Sequence, residues 1–274
     1  MPIINTDNHY LLNTKQLALL RLLYRFRFAT SAHLAIALGL KLSTINQRLQ
    51  ILLDQKYIGR NYDGNYKIHG KPAEYYLLPN GIAALKQYMR DKCDDKVLHN
   101  IYKDKNAKPS SIAHSLDVFS VYCSLKERYG DKLRFFSKSQ IYSYKHFPAQ
   151  LPDAFIRLDV NGKQKEFFLE VIDPNKPFFL YVGKVRRYIE YSDDSSWQDA
   201  MKTKMPTVLV VSGTIGTQVR FQKQAARFLK RHYEDEPKIY TTNTEKLEAI
   251  VNPGHDEIWR NAEEPEQVVS LQQI

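Results

Sequence analysis

Only two of the 274 residues are cysteine, Cys93 and Cys123. They stand in separate contexts, with no Cys-x-x-Cys pair and no histidine at ligand spacing. That excludes a disulfide scaffold and a cysteine-based zinc site, and it fits a reducing cytoplasm. No apolar run approaches the roughly 20 residues that span a bilayer. Met1–Tyr10 lacks the basic-then-apolar order of a secretory leader. No glycine-rich phosphate loop occurs, which argues against a nucleotide-driven motor. Ser/His/Asp and Cys/His groupings, internal repeats and low-complexity tracts are also lacking.

What is present suits a water-soluble chain of about two domains, at ~100–200 residues each. The apolar share of 43% and charged share of 26% are ordinary for such a chain, and its length can bury a sizeable core. Charge is the unusual quantity. The net is +10, and residues 1–110 hold 17 Lys/Arg against 8 Asp/Glu, whereas the remainder is nearly balanced. Such asymmetry points to a polyanionic partner for the first part of the chain or, more blandly, to a solvated basic surface.

The first part reads as helices followed by a wing. Asn13 or Thr14 caps a helix with Leu17, Leu20, Leu23 and Tyr24 at helical spacing. Thr30 or Ser31 caps a second, ended by Gly39, where a residue tolerant of positive φ is wanted. Ser43 is expected to cap a third, with Ile45, Leu49, Leu52 and Leu53 as its apolar stripe. Helix, turn with glycine, helix is a helix-turn-helix order. Asp63–Gly64 is a hairpin signal, so Tyr66 and Ile68 are expected in one strand and Glu74–Leu78 in its partner. Pro79–Asn80–Gly81 opens a further helix, Ile82–Met89.

Residues 93–109 are crowded with charge and are expected to be a linker between a domain at 1–92 and one at 110–250. The acidic stretch 251–274 is expected to be a solvated or loosely docked tail. Within 110–250 the pattern predicts a helix from Ser110 or Ser111, one or two strands over Leu133–Tyr144, and a hairpin of Ala154–Val160 and Glu166–Ile172 across Asn161–Gly162. A helix at Leu180–Tyr191, a strand at Thr207–Val211, a helix at Gln218–Arg231 and a strand at Ile239–Thr242 complete it. The order is α-β-β-β-α-β-α-β, and the fold class is α+β. His114 and Asp117 share a helix face; either they extend an acidic site, or His114 is a polar core residue bonded to Asp117 or backbone. Lys223, Arg227, Lys230 and Arg231 form a basic stripe, a DNA contact or a solvated face.

Three resemblances follow from these residues. The run Leu42, Ser43, Thr44, Ile45, Arg48, Leu49, Leu52, Tyr57, Ile58 and Arg60, with the Glu74–Gly81 exit, resembles winged-helix DNA-binding domains. The resemblance implies a third helix in the major groove of double-stranded DNA, Thr44, Gln47 and Arg48 facing base edges, and Lys41, Ser43, Arg60, Lys67 and Lys71 on phosphates. Pro152–Asp153 and Glu170 at neighbouring strand ends resemble the restriction-endonuclease-like, PD-(D/E)xK, fold. That implies Mg²⁺ or Mn²⁺ on Asp153 and Glu170 as metal ligands, and catalysis shared with Asp173 and Lys184. Ile172 stands where that pattern has lysine, and Lys184 on the next helix would supply the ammonium.

Taken together, the winged helix, His114–Asp117, Pro152–Ala154, Phe168–Val171, Lys184 with Tyr188 and Pro206–Val211 resemble the replication-relaxation family of plasmids and mobile elements, over about residues 12–240. In this chain the second acid of the third strand is Asp173, one place later than in the family's usual Glu-x-Asp. The resemblance implies a cytoplasmic DNA-binding accessory protein of replication or mobilisation, with replication or mobilisation proteins as partners, no membrane, and optional nicking of DNA. The alternative is a homodimeric winged-helix transcriptional regulator whose nuclease-like domain is catalytically silent.

Overall fold

The computed structural model describes residues 12–88, 93–231, 237–252 and 254–274. The readings made above for Met1–Tyr10, Met89, Asp91 and Lys92 lie outside these residues. The chain divides into two compact units, Met1–Asn106 and Ala107–Ile274.

In the first unit Asn13 caps α1 (Thr14–Phe26), its side chain accepting from the Gln16 N–H at 2.9 Å, with Gln16 returning the bond to the Asn13 N–H. After β1 (Phe28–Ala29), Thr30 caps α2 (Ser31–Leu38), and Gly39 closes it in the left-handed conformation, φ 62°. Then α3 (Leu42–Asp54) buries Ile45, Leu49 and Leu52. Its N-cap is Lys41, not Ser43, and no side chain caps it; Ser43 lies inside the first turn. The strands β2 (Ile58–Asn61) and β3 (Glu74–Leu77) pair antiparallel, and β1 completes the sheet in the order β1-β3-β2. This is a winged-helix order.

The tip of the wing differs from a hairpin turn. Asp63 accepts from the Tyr66 N–H at 3.1 Å and so caps a short helix, α4 (Gly64–Ile68), which takes Tyr66 and Ile68 out of strand. The Tyr66 hydroxyl and Asn61 both donate to Glu74, fastening that helix to β3. Next, α5 (Pro79–Tyr88) lies so close to β2 that a Cβ on Gly81 would stand 2.3 Å from the Tyr57 carbonyl oxygen.

The stretch expected to be a charged linker is folded. Asp94 caps α6 (Asp95–Ile101), which buries Val97, Leu98 and Ile101, and Asp104 is fully buried against Arg27, whose Nε donates at 3.2 Å. Two of this stretch's charges, Asp94 and Asp104, serve as a cap and an ion pair with apolar residues between them, while Lys96, Lys103, Lys105 and Lys108 stay exposed.

The second unit opens with α7 (Pro109–Tyr129) and β4 (Leu133–Ser137), after which the chain turns into α8 (Lys138–Ile141) rather than a second strand, Ser137 and Gln140 forming a capping box. The hairpin β5 (Ala154–Val160) and β6 (Lys163–Val171) turns on Asn161 and Gly162, both at positive φ. Then come α9 (Phe179–Asp193), α10 (Ser196–Met201), β7 (Thr207–Ser212), α11 (Ile215–Leu229), β8 (Ile239–Asn243) and α12 (Thr244–Ala249). The expected α-β-β-β-α-β-α-β order is present, with three short helices added, and the whole is α+β. Strands β6, β7 and β8 run parallel, and β4 and β5 are antiparallel neighbours.

The residues expected to be an acidic tail extend this sheet. β9 (Trp259–Asn261) and β10 (Val268–Val269) give the order β10-β9-β8-β7-β6-β5-β4 among the described residues. Trp259, Ile258, Ala262 and Leu271 are buried, and Asp256 pairs with Arg128 at 2.9 Å. The acids sit on the outside of a segment anchored by spaced apolar residues.

One face of the sheet carries an aromatic core. Phe147, Phe155 and Phe168 surround the fully buried Trp197 of α10, with ring centroids 5.3–5.5 Å from it. Edge-on and tilted rings at this spacing add to the burial itself.

Two outcomes are expected. Trp197→Ala should lower unfolding free energy by about 4 kcal/mol in urea denaturation, by emptying that cluster. Burial pushes the Asp104 carboxyl above its ordinary range despite Arg27. A carboxyl so raised favours the fold at low pH and loses that contribution as pH rises through its folded value. Arg27→Ala should therefore cost little below about pH 3.9 and about 2 kcal/mol at neutrality, once Asp104 must ionise unpaired.

Candidate active centre and nucleic-acid interface

Register brings the two candidate carboxylates together. Ala154 stands opposite Leu169, and the Asp153 N–H donates to the Leu169 carbonyl at 2.9 Å. Asp153 and Glu170 therefore come next to each other at the ends of adjacent strands, one step past the last ladder pair. Both are almost wholly buried, at 7% and 3% exposure.

Each carboxylate oxygen has a protein partner. Asp153 Oδ1 faces His114 Nε2 of α7 at 3.0 Å, and Oδ2 accepts from the Val171 N–H at 2.9 Å. Glu170 Oε1 accepts from the Tyr188 hydroxyl at 2.8 Å, and Oε2 from Lys184. Tyr181, Lys184 and Tyr188 recur at three- and four-residue spacing, so α9 presents them on one face toward β6. Tyr181 contributes through its hydroxyl, which accepts from the Asp173 N–H at 2.8 Å. Asp173 Oδ1 accepts from the Asn175 N–H at 2.9 Å, while Oδ2 is buried without a hydrogen bond, 3.7 Å from Lys176 Nζ.

The proton affinities follow from this packing. Burial would raise Asp153, but the bond and charge of His114, with Lys184 nearby, hold it well below the carboxylate range. Burial would lower His114, and Asp153 outweighs it, leaving the imidazole above its ordinary value. Each thereby favours the charged form of the other. Burial raises Glu170, and Lys184 only partly opposes it. Burial would lower Lys184, but Glu170 and Asp153 hold it above its usual value. Tyr188, buried beside Glu170, is pushed well up and stays a neutral donor.

These residues do not present an open site for Mg²⁺ or Mn²⁺. The Lys184 ammonium stands against Glu170 where a cation would stand, and the remaining oxygens are spent on His114, Val171 and Tyr188. Among the described residues no three His, Cys, Asp or Glu side chains converge as a ligand set. The centre is a hydrogen-bonded cluster of carboxylates, ammonium and imidazole, with partners supplied from within.

Of the expected catalytic residues, Asp153, Glu170 and Lys184 are brought together, and Asp173 joins them through Tyr181. His114 bonds Asp153, not Asp117. Tyr181 and Lys176 were missed. The signal for Tyr181 was its helical spacing from Lys184 and Tyr188; Lys176 left none in the pattern.

In the first unit Lys41, Ser43 and Gln47 are exposed on α3, and Thr44 and Arg48 are half-buried, all off the stripe of Ile45, Leu49 and Leu52. Arg60, Lys67 and Lys71 are exposed on the wing, with Arg60 and Lys67 both within 6 Å of the Tyr62 ring, at 5.6 and 5.9 Å. Among the described residues none of Lys41, Arg48, Arg60, Lys67 and Lys71 is in a salt bridge.

Lys184→Met should cost about 3 kcal/mol in chemical denaturation, because Glu170 is left buried without its cation. Adding Glu170→Gln should recover most of that loss. Additive losses in the double variant would show that the two side chains act independently.

No curated protein matches the chain. Three solved structures are similar in part. The C30AH42A mutant of Lactococcus lactis ZitR is 18% identical, covering 46% of this chain and 80% of that one, with a TM-score of 0.26. Restriction endonuclease FokI is 14% identical, covering 86% of this chain, with a TM-score of 0.34. FokI bound to DNA is likewise 14% identical over 86% of this chain, with a TM-score of 0.32. The chain spans 44% of the length of either FokI structure. The family model described as Replication-relaxation matches residues 20–208, well over half the chain. The protein belongs to the replication-relaxation family.

Proposed function

We propose that the protein binds double-stranded DNA as an accessory factor in replication or mobilisation of a plasmid or other mobile element. The observation that carries this reading is the solvent-facing side of the winged helix. The polar face of α3 and three wing cations are solvent-facing, and among the described residues no ion pair neutralises those cations. A helix with Gln47 and Arg48 off its apolar stripe has the bidentate donors that base edges require. Lys41, Ser43, Arg60, Lys67 and Lys71 supply the phosphate contacts that set its register. Membership of the replication-relaxation family supports the process. No helix among the described residues is long and apolar enough to cross a membrane.

The internally compensated centre of the second unit supports binding without cutting. A second reading, nicking of DNA with Mg²⁺ or Mn²⁺ at Asp153 and Glu170, with Asp173 and Lys184 alongside, is favoured by the juxtaposition of those carboxylates at strand ends. It requires Lys184 to leave Glu170.

Two measurements test these readings. Duplex affinity should fall steeply with salt, and Lys67→Ala and Lys71→Ala should each flatten the log–log salt slope by about 0.9 while weakening all sequences alike. Gln47→Ala or Arg48→Ala should instead relax preference at one base pair by about 1–3 kcal/mol. Absence of duplex affinity at low salt overturns the proposal. Supercoiled plasmid incubated with Mg²⁺ or Mn²⁺ should shift in mobility yet stay supercoiled. Conversion by wild type, lost in Asp153→Asn and Glu170→Gln, would establish the second reading instead.

A further inference from the structure

The helices α9 and α11 pack together over the aromatic core and leave a groove of about 410 Å³ between them. That lies within the roughly 300–1,000 Å³ of ligand-sized clefts. Its lining combines aromatic rings and arginines: Phe178, Phe179, Gly183 and Arg186 from one side, Arg220 and Phe228 from the other. The Arg220 guanidinium lies over the Phe178 ring at 4.1 Å, and Arg186 over Phe228 at 5.7 Å. Phe179 is 69% exposed. No lining residue is acidic, and among the described residues neither arginine is ion-paired. Beyond the groove, the outer side of α11 carries the exposed cations Lys223, Arg227 and Lys230.

A second observation concerns Gly183. A mid-helix glycine is unfavourable relative to alanine. Here no close packing accounts for it, because a Cβ at this position would meet nothing within 4 Å. The groove is open above that position.

The chemistry of the lining selects its occupant. A purely apolar partner would bury two guanidinium groups without counter-charge, at a desolvation cost. An acidic peptide would answer the arginines and leave the ring faces unused. A chain of flat π faces on an anionic backbone uses both, because bases stack on aromatic rings and on guanidinium planes while phosphates meet the cations. We propose that this groove binds single-stranded nucleic acid, with bases stacked on Phe179 and the arginine–phenylalanine pairs and phosphates held by Arg186 and Arg220. The site lies on the second unit and is independent of duplex binding by α3 and the wing.

The test is fluorescence anisotropy of labelled oligo-dT and oligo-rU, each about 15 nucleotides, titrated with the full chain at low salt. Binding is expected, and the tighter of the two identifies the strand. Phe179→Ala, an exposed truncation, should weaken it about tenfold. Gly183→Leu fills open space with a good helix former, so it should preserve thermal stability while blocking binding at least as strongly. Arg220→Ala should reduce the salt slope by about 0.7. Duplex affinity should be unchanged in all three variants. Single-strand affinity unaffected by both Phe179→Ala and Gly183→Leu overturns the proposal. So does absence of single-strand binding while duplex binding persists. Self-association in sedimentation that Gly183→Leu abolishes, without single-strand binding, would assign the groove to a second copy of the chain and also overturn it. Loss of duplex binding alone would leave this site standing and remove only the reading of the winged helix.

Discussion

A carboxylate buried on a central strand must be compensated, and Glu170 imposes that requirement on the second unit. It lies on β6 between an antiparallel and a parallel neighbour, 3% exposed. An uncompensated charge there would cost several kcal/mol. Lys184 and Tyr188 meet it from α9, which fixes the rotation of that helix on the sheet. The same rotation sends Tyr181 to the Asp173 backbone and leaves Phe179, Gly183 and Arg186 on the groove side. Asp153, one strand away, is held in turn by His114 from α7. One buried negative charge thereby ties an active-centre geometry, a helix orientation and an open groove together.

That arrangement also explains how an α-β-β-β-α-β-α-β order of elements can carry a centre with its charges balanced from within. Ile172, two residues after Glu170, joins the aromatic core. The ammonium comes from Lys184, on a different element, and reaches Glu170 itself. Ammonium, hydroxyl, imidazole and backbone groups together answer the two carboxylates.

The first unit solves a different problem. Its excess of positive charge is partly internal: Arg27 neutralises Asp104, and Asp94 caps α6. Exposed cations remain on α3 and the wing, and also at Lys15, Lys56, Lys96, Lys103 and Lys105. The helices α1 and α2 were legible because their caps are local signals, with Asn13, Thr30 and Gly39 where they were expected, whereas α3 was legible from its apolar stripe alone, Ser43 not being its cap. The wing tip was not, because Asp63–Gly64 suits both a hairpin turn and a helix cap; Tyr66 reaching Glu74 favours the helix. Residues 93–109 and 251–274 were misread because charge density suggested solvent: the helical spacing of Val97, Leu98 and Ile101 spans little more than one turn, and Trp259 and Leu271 stand far apart.

The sequence by itself determined the main α-β-β-β-α-β-α-β order of the second unit, the turn at Asn161–Gly162 and, through that turn, the pairing of Asp153 with Glu170. Alternation, helical spacing and turn chemistry act over a few residues and leave a readable trace. Only the tertiary structure decided which side chains answer those carboxylates, where Trp197 inserts, and that α9 and α11 leave a groove lined by phenylalanines and arginines. Those outcomes depend on which faces meet after distant segments pack: His114 is 39 positions from Asp153, and Tyr188 is 18 from Glu170. No local pattern records such meetings, because they are set by the burial of whole helices against the sheet.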